Sequence, residues 1–239
     1  MLKDVLAKAG DFCFDKRGMQ YIPYALVILA EYKEFASAKE SLPFEVFCFA
    51  IVMLGILIRI FTIAYVPEHT SGRNRGTQIA ESLNQTGMYS IVRNPLYLGN
   101  YFIFLGITAM TQSWEIVIAN TVLMLVIYTL IVLREEEFLV GKFGDEYVDF
   151  AQRVNCIIPS FKNFVKPSRP FSLKKVIKNE HDTWLTTLFG FIGIELIRGY
   201  FEVSTLYLVP LWQCVLGATL LIWFVSKRLK KAGLLNASA

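Results

Sequence analysis

Charge is scarce in this sequence. Only 18% of its 239 residues are Asp, Glu, Lys or Arg, 54% are hydrophobic, and the mean hydropathy is +0.45. So little charge excludes an ordinary soluble domain and leaves a polytopic membrane protein with the bilayer as its solvent. Cysteine is sparse too: Cys13, Cys48, Cys156 and Cys214 form no CxxC pair, which argues against a disulfide framework or a zinc site and leaves small apolar core residues. His69 and His181 are the two histidines, and no metal-binding set is expected. There is no internal repeat and no low-complexity tract. The first residues, MLKDVLAKAGDF, read as a short surface helix. They lack the basic start, short apolar core and small-residue site of a cleaved signal peptide, and none is expected.

What is present is a series of apolar windows. Residues 43–66, 114–133 and 205–225 are each long enough to cross a hydrocarbon core of roughly 30 Å. Residues 95–110 form a shorter window. Residues 19–30, with Pro23 inside, and 184–197, with Glu195 inside, read as tilted spans or half-inserted helices. The expected fold is therefore all-α, a polytopic bundle of about six transmembrane or half-inserted helices with a cytoplasmic N-terminus. On that topology twenty of the 24 Lys and Arg fall in cytoplasmic segments; Lys33, Lys39 and Arg198 lie outside and Arg59 inside a span. This is the bias that orients membrane proteins. The expected division is 1–66, N-terminal helices; 67–165, a core with a helical hairpin; and 166–239, a C-terminal helix pair, entered through the linker KPSRPFS.

The windows 95–110 and 114–133 are separated by three residues, TQS, so they form a tight hairpin whose open ends share one membrane face. At one end stands TGMYSIVRNPLYLGNYF, residues 86–102. Pro95 suits the first turn of a helix and Asn94 the position before it. Exposed N–H groups and the positive end of the helix dipole then favour an anion, and Arg93 adds a donor fork that fits carboxylate or phosphate. The alternative for Arg93 is a positive-inside anchor reaching for headgroups. Tyr89, Tyr97, Asn100 and Tyr101 gather at the same helix start, their aromatic faces able to hold a cation; the alternative is an interfacial aromatic belt. At the other end stands REEEFLVGKFGDEYVDFAQRV, residues 134–154. It reads as an amphipathic helix weakened by Gly141 and Gly144. Glu135, Glu136 and Glu137 sit where a span usually ends in basic residues, and they could accept ribose hydroxyls, attract a cation or simply be solvated.

Taken together these residues resemble the superfamily of isoprenylcysteine carboxyl methyltransferases and phospholipid N-methyltransferases. Its pattern is G-x-Y-x-x-x-R-[H]-P-x-Y-x-G, a hairpin, then E-E-x-x-L-x-x-x-F-G-x-x-Y. It is met by Gly87, Tyr89, Arg93, Pro95, Tyr97 and Gly99, and by Glu135, Glu136, Leu139, Phe143, Gly144 and Tyr147. The resemblance covers roughly residues 71–159. It implies binding of S-adenosylmethionine at the cytoplasmic face, with Tyr89, Arg93, Asn94, Glu135 and Glu136 at the cofactor and Leu83 and Asn84 beside its adenosine. Arg93 and Tyr97 are the candidate catalytic residues. Asn94 stands where the family usually has histidine, so it can donate a hydrogen bond but carries no charge and shuttles no proton. Ile131 occupies the place of an arginine that prenylcysteine enzymes use for substrate, which argues against that acceptor.

The expected partner is a membrane lipid or lipid-linked acceptor, not a nucleic acid. Residues 70–100 together with the C-terminal pair resemble bacterial members, including those that methylate a lipid A phosphate, and imply a bacterial inner-membrane location. Arg59 lies within a span, where a cation costs about 2.5–3.5 kcal/mol unless paired. It could hold an anionic lipid head, pair with Glu195 or snorkel. Arg73 and Arg75 suit a headgroup phosphate, the donor's carboxylate or membrane anchoring, and His69 a substrate contact or an interfacial place. Methyl transfer needs alignment and a dry site. Two other function classes remain: an NADPH-dependent membrane reductase of the sterol reductase type, which usually has an acidic residue where Asn100 follows Gly99, and a non-enzymatic scaffold or transporter, against which stands the absence of an inverted repeat.

Overall fold

Three apolar helices set the height of the molecule. In the computed structural model, which describes residues 2–16, 21–30, 41–67, 70 and 80–235, the described residues form α-helices and one 3-10 turn and no strand. The helices are α1 (Leu2–Asp15), α2 (Tyr21–Ala30), α3 (Leu42–Tyr65), α4 (Pro95–Ala109), α5 (Trp114–Phe143), α6 (Asp145–Arg153), α7 (Leu173–Val203) and α8 (Pro210–Lys231), with the 3-10 turn at Gly87–Ser90. Helices α3, α5 and α8 are long and apolar enough to cross a membrane. The protein is thus the all-helical membrane bundle its composition predicts. Helix α2, with 10 residues, rises only about 15 Å and cannot span alone.

The centre of the bundle is the pairing of α3 with α4, and small residues make it close. A Cβ on Gly55 would lie 2.5 Å from the Gly99 carbonyl oxygen, and one on Gly106 would lie 2.6 Å from that of Cys48. Glycine at these positions lets the two backbones touch, as membrane helices do where lipid offers no hydrophobic drive to associate. On one side of the pair, Cys48, Val52, Ile103, Ile107, Phe191 and Ile194 join α3 and α4 to α7. On the other, Phe14, Tyr24, Met124, Tyr128 and Ile131 join α1 and α2 to α5. The first residues form a helix, as read, with Asp11, Phe12 and Asp15 exposed and the opposite face packed on α5. Phe14 is buried, and Gly10 packs against the Leu130 carbonyl of α5.

Three boundaries differ from the sequence reading, one of them α8, which runs over Pro210–Lys231 where the apolar window is 205–225. Helix α5 does not stop at residue 133 but continues through the glutamates to Phe143, because Glu is a good helix former once the chain has left lipid. The break comes at Gly144, whose φ of 55° suits glycine. Helix α6 then turns back, and Tyr147, Phe150 and Val154 pack with Leu83, Leu139 and Phe143. The window 184–197 is the middle of the 31-residue α7, which runs antiparallel along the whole of α3. At one end the Ser172 N–H donates to the Ala64 carbonyl (3.0 Å) and Lys175 to that of Val66. At the other, buried Arg198 pairs with Glu45 (3.2 Å) and Glu195 (3.3 Å) and donates to the Met110 carbonyl (2.9 Å).

Candidate active site

Pro95 opens α4 and Asn94 precedes it, but the Asn94 side chain does not cap the helix. Its amide donates to the Cys156 carbonyl (3.2 Å), in the segment that follows α6. The neighbouring backbone does the same: the Arg93 N–H donates to the Asn155 carbonyl (2.9 Å) and the Ser160 N–H to that of Ile91 (2.9 Å). The doorway turn is therefore clamped to residues 155–160 by main-chain bonds.

Side chains join the doorway to the acidic run. Arg93 meets the Glu136 carboxylate through Nη2 (2.9 Å) and Nε (3.1 Å), and its Nη1 donates to the carbonyls of Ala151 (2.6 Å) and Val154 (2.9 Å). The fixed fork of an arginine can serve three acceptors at once. The Tyr97 hydroxyl donates to Glu135 (2.8 Å), and its ring lies 4.7 Å from that of Tyr128. Residues some forty positions apart thus converge at one end of the hairpin.

The electrostatics of this cluster keep protons in place. Burial alone would lower the Arg93 pKa, but the Glu136 carboxylate outweighs it and the guanidinium is held more firmly charged. Burial and then Glu136 push the Tyr147 phenol well above its ordinary value, and the same two causes raise the Cys156 thiol, whose sulfur lies 3.9 Å from Glu136. All three groups stay protonated near neutral pH, so none of them is a ready base.

Beside this cluster lies a cavity of about 290 Å³. Its walls are the last turn of α3 (Phe61, Thr62, Tyr65), the loop 82–89, and Ser168 with Arg169 from the segment before α7. Leu83, Asn84 and Tyr89 line it; Arg93, Asn94, Tyr97, Glu135 and Glu136 do not. The Asn84 amide donates to Thr70 Oγ1 (3.2 Å).

Arg59 is absent from this wall. Its guanidinium is gripped by Glu180 of α7 (2.7 and 2.8 Å), with further donation to Thr183 (3.3 Å) and Asn100 (2.6 Å). Asn100 in turn donates to the Tyr128 hydroxyl (2.8 Å). The Glu195 pairing weighed for Arg59 is made by Arg198 instead. Arg73, Arg75 and His69 lie outside the described residues. Sequence reasoning missed Glu180, 121 positions from Arg59, and the cavity role of Arg169; the signal for the latter was a run, 150–179, with seven cations and no Asp or Glu.

Comparison with known proteins bears on the same region. The family model described as phospholipid methyltransferase matches residues 45–146. The cobalt-zinc-cadmium resistance protein CzcN of Cupriavidus metallidurans is 28% identical over 107 residues, 45% of this chain and 47% of that protein. The nickel-cobalt-cadmium resistance protein NccN of Alcaligenes xylosoxydans xylosoxydans is 29% identical over 112 residues, 47% and 50%. Methanethiol S-methyltransferase 2 of Bradyrhizobium diazoefficiens is 38% identical over 88 residues, 36% and 32%. The chain spans half or less of the length of each of these relatives. No solved structure matches. Residues 45–146, which hold most of α3, the doorway, the hairpin and the start of α6, are thus the part of the chain that is similar to phospholipid methyltransferases.

Proposed function

We propose that the protein is an S-adenosylmethionine-dependent methyltransferase acting on a membrane lipid or lipid-linked acceptor, with an anionic oxygen such as a lipid A phosphate as the methylated atom. The observation that carries this reading is the meeting of the two motif halves, Arg93 with Glu136 and Tyr97 with Glu135, beside a cavity walled by Leu83, Asn84 and Tyr89. In the proposal that face is the cytoplasmic side of a bacterial inner membrane.

The cavity fits a nucleoside in size and chemistry. At about 290 Å³ it sits near the lower end of small-ligand sites, which run from roughly 300 Å³ upward, and it mixes amide and hydroxyl groups with aromatic edges. Leu83, Asn84 and Tyr89 would hold the adenosine, with Arg93, Asn94, Glu135 and Glu136 fixing the wall behind it. When bound, the donor supplies a methyl group on a sulfonium, open to in-line displacement. Tyr97 and the Tyr128 ring tilted beside it offer aromatic faces to a cation. Arg93 fixes the geometry, since it ties the doorway to α5 and to the end of α6. The protonated state of Arg93, Tyr147 and Cys156 agrees with an acceptor that arrives already anionic and needs no general base.

The relative that carries methanethiol in its name favours a second reading, a small thiol acceptor. Incubating membranes with methyl-labelled S-adenosylmethionine decides among the readings. Label in extracted lipid that disappears in Arg93→Ala supports the first, and label in a volatile thioether supports the second. Binding of NADPH in place of S-adenosylhomocysteine by the purified protein would move it to the reductases.

A further inference from the structure

Among the described residues, the cavity wall contains one charged side chain, and it comes from beyond the matched family domain. Arg169 belongs to a strap, residues 165–172, that crosses the cavity between two anchors. At the first, the Gly87 N–H donates to the Val165 carbonyl (2.8 Å), the Val165 N–H donates to Ser90 Oγ (2.9 Å), and Pro167 rests on Gly87, where an added Cβ would come within 3.2 Å of its ring. At the second, the Ser172 N–H reaches the Ala64 carbonyl (3.0 Å) while the Phe171 ring lies edge-on to Phe61 (6.5 Å) and Tyr65 (5.7 Å). Arg169 stands between these anchors, so its backbone is held over the cavity.

Among the described residues nothing cancels the charge on Arg169: it makes no hydrogen bond or ion pair to any of them, and no described Asp or Glu lines the cavity. No acidic residue occurs between residues 150 and 179. The rest of the polar wall, including Ser82, Asn84, Gln85, Thr86 and Tyr89, is neutral. An uncompensated guanidinium in a concave site selects for an anion and offers a planar fork to a carboxylate or phosphate.

We propose that Arg169 holds the anionic group of the ligand that fills this cavity, making the strap a specificity element added from outside the family domain. The assignment rests on this cavity being the ligand site, as in the proposed function, but not on which ligand enters. The anion is either the carboxylate of the donor's amino-acid part or the phosphate of a lipid entering from the α3 side.

Two ligand pairs measured by calorimetry on the full chain in detergent test it. The first is S-adenosylhomocysteine against its decarboxylated form; the second is short-chain phosphatidylglycerol against short-chain phosphatidylcholine. In Arg169→Gln the anionic member of one pair weakens by about tenfold or more, the worth of a charge-assisted hydrogen bond, while its partner changes less than about twofold; Arg169→Lys regains part of the loss. The pair that responds identifies the source of the anion. Equal weakening of both members of a pair, or no change in either pair, overturns the proposal, as does a wild type that binds none of the four. If the wild type binds neither adenosyl ligand, the methyltransferase reading fails, and the lipid pair alone decides the role of Arg169.

Discussion

Arg93 and Arg169 lie on two sides of the same region and meet opposite surroundings. Arg93 spends its fork on Glu136 and two main-chain carbonyls, whereas Arg169 faces a neutral cavity with no described partner. Arg59, deeper in the bundle, is of the first kind, held by Glu180, Thr183 and Asn100. The difference teaches that a motif arginine can serve a site by fixing its frame, while an arginine in a surface linker is left to bind. A guanidinium in lipid or half-buried must be satisfied by protein. One at an aqueous mouth need not be.

This contrast can be broken by substitution. Arg59→Leu should act most strongly, because it leaves Glu180, 1% exposed, buried without its partner. A loss of about 3–5 kcal/mol is expected, read as a lower unfolding temperature in detergent, and Arg59→Leu with Glu180→Leu should recover most of it. If the single variant is as stable as the wild type, the pair does not hold the bundle. Arg93→Ala should lose about 1–3 kcal/mol through the orphaned carbonyls of Ala151 and Val154, together with methyl labelling. Arg93→Lys should recover little of either, since one ammonium cannot reproduce the fork.

A smaller effect sharpens the picture of Glu136. Burial and this carboxylate both raise the Cys156 thiol, so Glu136→Gln lowers that pKa and increases the reactive thiolate. For each pKa unit regained, alkylation of Cys156 below its pKa should quicken by about threefold, the gain in thiolate being partly offset by its lower nucleophilicity; peptide mass spectrometry against time follows it, and an unchanged rate would mean the carboxylate does not act on the thiol. Smallest is the effect of Arg169→Gln on stability. An exposed side chain without a described partner should shift it by no more than about 0.5 kcal/mol, and a large drop in unfolding temperature would show that the strap needs Arg169 for folding.

Much of the fold could be read from the sequence because hydropathy and prolines act locally. Pro95 opens α4 and Trp114 opens α5 where expected, whereas α8 starts at Pro210, five residues inside the window 205–225. The end of α5 was misplaced because a change of solvent, from lipid to water, was taken for a change of structure. The true break, Gly144, was visible only as one of two weakening glycines. The length of α7 was hidden since Glu180, Glu195 and Arg198 dilute its apolar character, and their partners Arg59 and Glu45 lie far away in sequence. At the site, the motif pointed to Arg93 and Glu136 as neighbours, but nothing local indicated that they would close on each other while the cavity opened beside them.

By itself the sequence determined that this chain lives in a bilayer, where the two hairpin helices begin, and that residues 86–102 and 134–154 share one end of that hairpin, since these follow from apolar run length, proline geometry and a three-residue turn. The partner of each charge was decided by tertiary structure alone. Pairing across a hundred residues depends on how helices pack and which groups that packing buries, and that is a property of the assembled bundle, not of any stretch of chain.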